Sequence, residues 1–376
     1  MKTARIIGLA VGFPDGVRTN DHFRRRNPEL VADAERRTLA KLWAPADAED
    51  PSDFDLTFAP YARDPFRGTV ERRALEPRQP ILPLEARTAR QALTAASLES
   101  SDVDVILSCA FQPDQLGIGN AVFIARELGF AGPAWNIETA CTSAAAGLQL
   151  ASALVASGQA RRVLVVISCS YSRVIDPEDT FGWFLGDGCA AFVVGAATPG
   201  YGNLGAGNIN TAETCGAFDY RIVQDDTRGA QLRIGTDRVG AAGRALKETA
   251  VPFLRRCVDA ALRDADCRLD DIDFFAFNTP TAWYADLCVR TLGIDPNRTI
   301  NVYPLYANVG PVLWPINLHH AAALGKIRPG DRVLVYAVGS VSSAAAIIMR
   351  WDNVGLGPLP ARVRDLGRLA ELTRVG

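Results

Sequence analysis

The feature that most constrains the fold is an internal repeat. A helical pattern at 88–93 is followed by Ser100-Ser101-Asp102-Val103-Asp104 and a strand Val105-Ile106-Leu107. The same order returns as a helical pattern at 257–262, then Asp270-Asp271-Ile272-Asp273, then Phe274-Phe275-Ala276-Phe277. Each half continues with a helix of small residues (141–158 and 308–325) and an apolar strand (162–167 and 332–336). The landmark pairs Val105 and Phe274, Cys141 and Asn308, and Val163 and Val333 are offset by 169, 167 and 170 residues. Near-constant offsets across unlike elements imply a duplicated α/β unit with halves at 1–200 and 201–376.

The chain has 376 residues, enough for two such halves with a large shared core. Strands 163–167 and 333–338 are almost wholly apolar, as expected of strands covered on both faces. The helix 141–155 carries no charge on any side, which predicts a buried position, and 313–324 reads as its partner. Pro311 and Pro315 fit only before that partner helix or in its first turn. Residues 21–80 differ: they are charged, rich in proline and weakly periodic, and predict an inserted helical and loop region acting as a lid over one entrance. The stretch 361–376 reads as an exposed, Arg-rich helix or tail.

Composition removes several functions. Lys and Arg total 40 against 42 Asp and Glu, so no basic footprint for nucleic acid exists. Eight scattered cysteines without a CxxC pair, beside three histidines, give no zinc pattern and no secreted disulfide framework, so no metal is expected. The apolar run 6–13 ends at Pro14-Asp15-Gly16. It is too short for a membrane span and reads as a first strand, which places the protein in a reducing cytoplasm.

Cys141 is the candidate nucleophile. It follows a strand signal at 133–137 and stands at the start of the small-residue helix. A helix N-terminus carries about half a positive elementary charge, which favours a thiolate and can hold an oxyanion on its free N–H groups.

The segment Glu138-Thr139-Ala140-Cys141-Thr142-Ser143 resembles the nucleophile segment of the β-ketoacyl-ACP synthase III branch of the thiolase superfamily. Gly186-Asp187-Gly188-Cys189-Ala190-Ala191 is similar to that family's GDGA strand entrance, and Asn308-Val309-Gly310 holds the place of its catalytic asparagine. Gly325-Lys326-Ile327-Arg328-Pro329-Gly330-Asp331 and Val338-Gly339-Ser340 resemble its closing strand and oxyanion loop. The resemblance spans about residues 67–351. It implies a thiolase-like five-layer αβαβα fold of two duplicated halves, a homodimer, and an acyl group carried on Cys141. It further implies Asn308 as hydrogen-bond donor to a carbonyl and the Ser340 backbone N–H in the oxyanion hole.

Two departures qualify what the resemblance implies. The family's His-Gln-Ala-Asn segment falls on Asn278-Thr279-Pro280-Thr281, so Asn278 holds the histidine's place, 30 residues before Asn308 as in the family. An asparagine can donate a hydrogen bond but cannot move a proton near neutrality, which weakens decarboxylative condensation more than simple acyl transfer. His319 lies 11 residues beyond Asn308 and, with His320, reads as packing or surface; His22 lies in the inserted region. The second departure is Thr180 where the family has an arginine stacked on the adenine of coenzyme A, with Trp43 available as a tryptophan partner. A carrier-protein thioester then becomes the attractive donor, with Arg24, Arg25 and Arg26 either receiving an acidic carrier or forming a solvated face. Residues 112–118 fill the loop that in the family crosses the dimer interface and shapes the acyl cavity, with Trp183, Phe184 and Trp314 as further aromatic surface.

The function expected is therefore acyl transfer without a bound cofactor. Cys141 takes an acyl group from a phosphopantetheine thioester on acyl carrier protein or coenzyme A. Asn308 and Asn278 orient the carbonyl or the acceptor, the Cys141 and Ser340 N–H groups hold the oxyanion, and a small-molecule acceptor removes the acyl group in a biosynthetic pathway. The alternatives are decarboxylative carbon–carbon condensation and a non-catalytic subunit completing a partner's dimer.

Overall fold

The computed structural model describes residues 3–37, 51–176, 178–225, 229–235 and 241–360. Two sheets carry the duplication. The first runs β14 (Gly355–Leu356), β1 (Ala4–Gly12), β7 (Asp187–Ala196), β6 (Arg162–Ser170), β4 (Val105–Phe111), β5 (Ala134–Asn136). The second runs β11 (Phe274–Phe277), β12 (Arg332–Gly339), β13 (Ser343–Arg350), β8 (Gly202–Asn210). In both, a parallel pair is followed by two antiparallel ones: β4–β6, β6–β7 and β7–β1 against β11–β12, β12–β13 and β13–β8. The halves are laced together at the end of the chain, where β14 leaves the second half and pairs parallel to β1.

Strand alternation feeds separate cores. Leu107, Val165, Ile167, Ala276, Val333 and Val335 point into a central layer with α6 (Ser143–Ala156) and α10 (Leu313–Ala323). Their neighbours Ile106, Leu164 and Val166 pack outward on α4 (Leu82–Ala95) and α5 (Ala121–Leu128). Phe275, Phe277, Leu334 and Tyr336 pack outward on α7 (Ala241–Asp264) and α8 (Tyr284–Leu292). Helices, sheet, helices, sheet and helices make the five-layer αβαβα arrangement that the resemblance implied.

The two central helices are not equally interior. Every residue of Leu313–Ala321 is buried, whereas α6 leaves Leu150 47% exposed and Ala153 open to solvent. The uncharged sequence of 141–155 predicted burial on all sides, and that expectation fails for this face of α6. Pro311 lies before α10 and Pro315 in its first turn, where neither removes a needed hydrogen bond.

The region read as a lid is a clamp on the second half. β2 (Val17–Thr19) pairs antiparallel with β3 (Glu71–Arg73), flanking α1 (Asn20–Arg26), α2 (Pro28–Arg37) and α3 (Asp53–Phe58). Phe66 packs 4.9 Å from Trp183 and Phe58 4.8 Å from Trp283, ring centre to ring centre. Lys247 of α7 meets Asp55 at 2.7 Å, and Arg290 of α8 meets Asp53 at 2.5 Å. Arg72 is fully buried, donates to the Trp183 carbonyl at 3.0 Å and sits 4.6 Å over the Phe23 ring, which offsets its desolvation. Arg24 is solvated, paired with Asp21 and Glu35. Trp43 and the stretch 361–376 lie outside the described residues. Among the described residues no helix is long and apolar enough to cross a membrane.

Candidate active site

The loop from β5 to α6 sets the position of Cys141. Ala140 adopts a left-handed backbone (φ 53°), and Ala140–Thr142 form a single 3-10 turn before α6 begins at Ser143. Short bonds hold this strained turn: the Ala140 N–H donates to Glu138 Oε1 at 2.6 Å, Thr142 Oγ1 donates to the Thr139 carbonyl at 2.6 Å, and Ser143 Oγ donates to the Ala140 carbonyl at 2.7 Å. Strain of this kind costs roughly 1–3 kcal/mol and persists only where neighbours over-determine it.

A second tight turn brings the other half to the sulfur. Gly339, Ser340 and Val341 link β12 to β13, and both Ser340 (φ 47°) and Val341 (φ 55°) are left-handed. A Cβ at Gly339 would stand 2.7 Å from Ser343 Oγ, 3.1 Å from the Thr139 carbonyl oxygen and 3.2 Å from Thr142 Cγ2, so a side chain there would push the two turns apart. The backbone N–H groups of Ser340 and Cys141 both act on the Cys141 sulfur, and the Tyr171 hydroxyl lies 3.9 Å from it.

Burial dominates the thiol's ionisation. Cys141 is 9% exposed, and desolvation pushes the thiol up to about 11; Tyr171 and the two backbone N–H groups oppose this, while the Glu138 charge adds to it. The sequence suggested a thiolate favoured by a helix terminus. The structure has the thiol protonated at neutral pH, because Cys141 precedes α6 and the apolar surroundings outweigh the backbone dipoles.

Asn308 is held as a donor. Its N–H donates to the Phe184 carbonyl and its carbonyl accepts from the Gly186 N–H, both at 2.9 Å, locking it to the segment before Asp187. Its Oδ1 accepts the Gly310 N–H at 2.8 Å, and among the described residues no acceptor takes its Nδ2 hydrogens. Cys141, Asn308 and Ser340 line one cavity of about 550 Å³, with Glu138, Gln112, Tyr171 and Pro280. Its remaining wall is apolar and includes Phe111, Leu116, Phe181, Phe184 and Leu185. Volume and lining are those of a small-molecule site.

Asn278 is placed differently. It follows β11, is fully buried, donates through Nδ2 to the Val338 carbonyl at 3.5 Å, and does not line the cavity; Pro280 of the same segment does. Its Oδ1 meets no donor among the described residues. The histidines stand elsewhere too. His319 bonds the Gly357 carbonyl and His320 the Tyr306 hydroxyl, both at 3.1 Å, and burial drives both imidazoles below their ordinary range. Trp183 packs beneath the clamp and Trp314 within the central layer, so of the three aromatic residues only Phe184 borders the cavity.

The cover of the cavity is a hairpin, β9 (Asp219–Asp225) with β10 (Gly229–Gly235), which contributes Tyr220, Leu232 and Ile234; Phe218 precedes it. Phe218 stacks on Phe181, Tyr220 meets Phe111 edge-on, and the Gln112 amide donates to the Tyr220 hydroxyl. None of the described residues of 21–80, the region expected to act as a lid, lines the cavity, and 38–50 lie outside the described residues. The sequence reading missed this hairpin, although 219–235 shows two short alternating stretches around a polar break. It also missed Tyr171, for which no local signal exists.

A cysteine on a strained turn between two duplicated sheets, facing an asparagine donor and a turn of backbone N–H groups, defines a thiolase-type protein of the acyl-transferring and condensing class. The profile of 3-oxoacyl-[acyl-carrier-protein] synthase III matches residues 135–211, and that of its C-terminal part matches residues 262–351. β-Ketoacyl-[acyl-carrier-protein] synthase III of Rhizobium rhizogenes is 28% identical over 271 residues, covering 71% of this chain and 83% of the relative. Synthase III 3 of Streptomyces coelicolor is 28% identical over 289 residues, 72% and 83% of the two chains. The fold is that of Pseudomonas aeruginosa FabH (TM-score 0.74, 19% identity, 95% of this chain and 100% of that one). It is equally that of a Xanthomonas campestris OleA variant (TM-score 0.74, 19% identity, 93% and 98%). The chain thus carries both parts of the synthase III family profile, in order, on a thiolase-like fold.

Proposed function

We propose that this chain is an acyltransferase. The Cys141 sulfur attacks a phosphopantetheine thioester, on acyl carrier protein or coenzyme A, and the acyl group passes from sulfur to a small-molecule acceptor. The Cys141 and Ser340 N–H groups stabilise the tetrahedral oxyanion. Asn308 Nδ2 donates to the carbonyl of donor or acceptor. The apolar wall favours an uncharged, hydrophobic acyl group, since no lysine, arginine or histidine lines the cavity among the described residues.

The observation that carries this reading over decarboxylative condensation is the site of Asn278. The family histidine's place is taken by a buried amide that bonds Val338 and does not line the cavity, and an amide cannot supply or take the proton that an enolate beside Cys141 calls for. Transfer to oxygen or nitrogen needs no such donor. Two chains pairing along the β5 edge would cover Trp135, Leu116 and Ile118, which are large, apolar and exposed, and we take the working unit to be a homodimer.

The experiment offers a panel of acyl-pantetheine thioesters with and without malonyl-pantetheine. The reading expects acyl-Cys141, decay of that adduct with alcohol or amine acceptors, and no carbon dioxide. Carbon dioxide released in proportion to a ketone product would establish condensation instead.

A further inference from the structure

Loading the sulfur requires somewhere for its proton to go. The thiol is protonated at neutral pH, the three histidines lie outside the cavity, and Asn278 cannot accept a proton. Among the described residues Glu138 is the carboxylate that lines the cavity together with Cys141, three residues before it in the loop leading into the strained turn. Its Oε1 accepts the Ala140 N–H at 2.6 Å, which fixes the carboxyl against the turn, and its Oε2 lies 3.6 Å from Cys109 Sγ.

The surroundings suit a base. From β4 Glu138 is faced by the Cys109 thiol, from α6 by the Ser143 hydroxyl, from the turn before α6 by the Cys141 thiol and from β9 by the Tyr220 phenol, and its charge opposes the ionisation of the last two. No cation is among them. Desolvation raises the carboxyl above its ordinary range, against the bonds from Ala140, Cys109 and Ser143. A carboxylate of raised basicity is a better proton acceptor near neutrality.

Building on the acyl-transfer reading, we propose that Glu138 is the general base of both half-reactions and that the acceptor is a neutral hydroxyl or amine. In loading, sulfur attacks the thioester carbonyl as its proton moves to the Glu138 carboxylate, directly or through one water. The carbon–sulfur bond of the donor breaks, and the proton returns to the departing pantetheine thiolate. In transfer, the carboxylate takes the proton of the acceptor O–H or N–H as that atom attacks the acyl carbon. The acyl–Cys141 bond breaks, and the proton passes to the Cys141 sulfur. Each half restores the starting charges.

Single-turnover kinetics with octanoyl-pantetheine as donor and benzyl alcohol as acceptor test this. Glu138→Gln keeps a carbonyl oxygen for the Ala140 N–H and replaces the basic Oε2, with its contact to Cys109, by an amide that cannot take a proton. Loading and transfer are both expected to fall by about 10²- to 10⁴-fold with Tm unchanged. In Glu138→Ala, added formate is expected to restore part of both rates. The wild-type rate is expected to rise with pH through one ionisation that Glu138→Gln removes. Wild-type rates in Glu138→Gln, or a loss that tracks a fall in Tm and that formate does not rescue, would overturn the role of Glu138 and leave the acyl-transfer reading standing. A wild-type enzyme that transfers no acyl group from any thioester removes that reading, and this inference with it.

Discussion

The two halves share one strand plan and use their central helices in opposite ways. In the first half, α6 follows a strained turn, opens one face to solvent and has the Cys141 sulfur just ahead of it. In the second, α10 is sealed from Leu313 to Ala321, and its two histidines are spent on a backbone carbonyl and a tyrosine. Within the second half the two asparagines differ as well: among the described residues Asn308 keeps an unpartnered donor at the cavity, while Asn278 is bonded into the packing of β11 against β12. The two frames share their strand order, and the cavity lies where the turn before α6 meets Ser340 and Asn308 of the second half.

The sharpest way to break this comparison is at the asparagines. Asn308→Ala is expected to lower kcat for acyl transfer by about 10²- to 10³-fold with little change in Tm, the usual loss for one oxyanion donor. Asn278→Ala is expected to lower Tm while kcat per folded molecule stays within a few-fold of wild type. Equal kinetic losses would show that Asn278 reaches the chemistry in solution.

The helices come next. Leu318→Ala, at a fully buried position of α10, is expected to cost about 2–5 kcal/mol of unfolding free energy. Leu150→Ala, on the open face of α6, is expected to stay within about 0.5 kcal/mol in the monomer. Denaturant titration of both variants reads the difference.

The thiols give a third contrast. With its pKa near 11, Cys141 is expected to react with iodoacetamide about 10²-fold more slowly than a free cysteine at pH 7.5, where only the thiolate reacts. Its rate should rise nearly tenfold per pH unit up to pH 10. A rate already level at pH 7 would mean a resting thiolate. The smallest effect is expected at the second turn, where Ser340→Gly relieves a left-handed serine and should stabilise the fold by about 1 kcal/mol or less.

Much of this architecture was legible in the residues. The offsets between Val105 and Phe274 or Cys141 and Asn308 survive because each half must rebuild the same packed unit, and β4–β6–β7–β1 is matched strand for strand by β11–β12–β13–β8. Cys141 is singled out by its place at the start of the small-residue helix and Asn308 and Ser340 by the family resemblance, and the fold brings all three to one cavity. Burial could not be read from composition: an uncharged helix such as α6 looks interior whether it meets a core or an open face. Charge and proline in 21–80 mark irregular backbone without saying what it covers; for the described part, Phe58 and Phe66 set that through Trp283 and Trp183. The ionisation of Cys141 was misjudged for the same reason, since a sequence shows the helix terminus and hides the desolvation that overrides it.

The most direct test of Cys141 as the acyl acceptor is intact-mass spectrometry of the protein after brief exposure to octanoyl-pantetheine, followed by peptide mapping. One octanoyl group per chain, on the peptide holding Cys141 and lost in Cys141→Ala, is the expected result. An unmodified Cys141 beside undiminished turnover, or equal labelling of Cys141→Ala, would contradict the account.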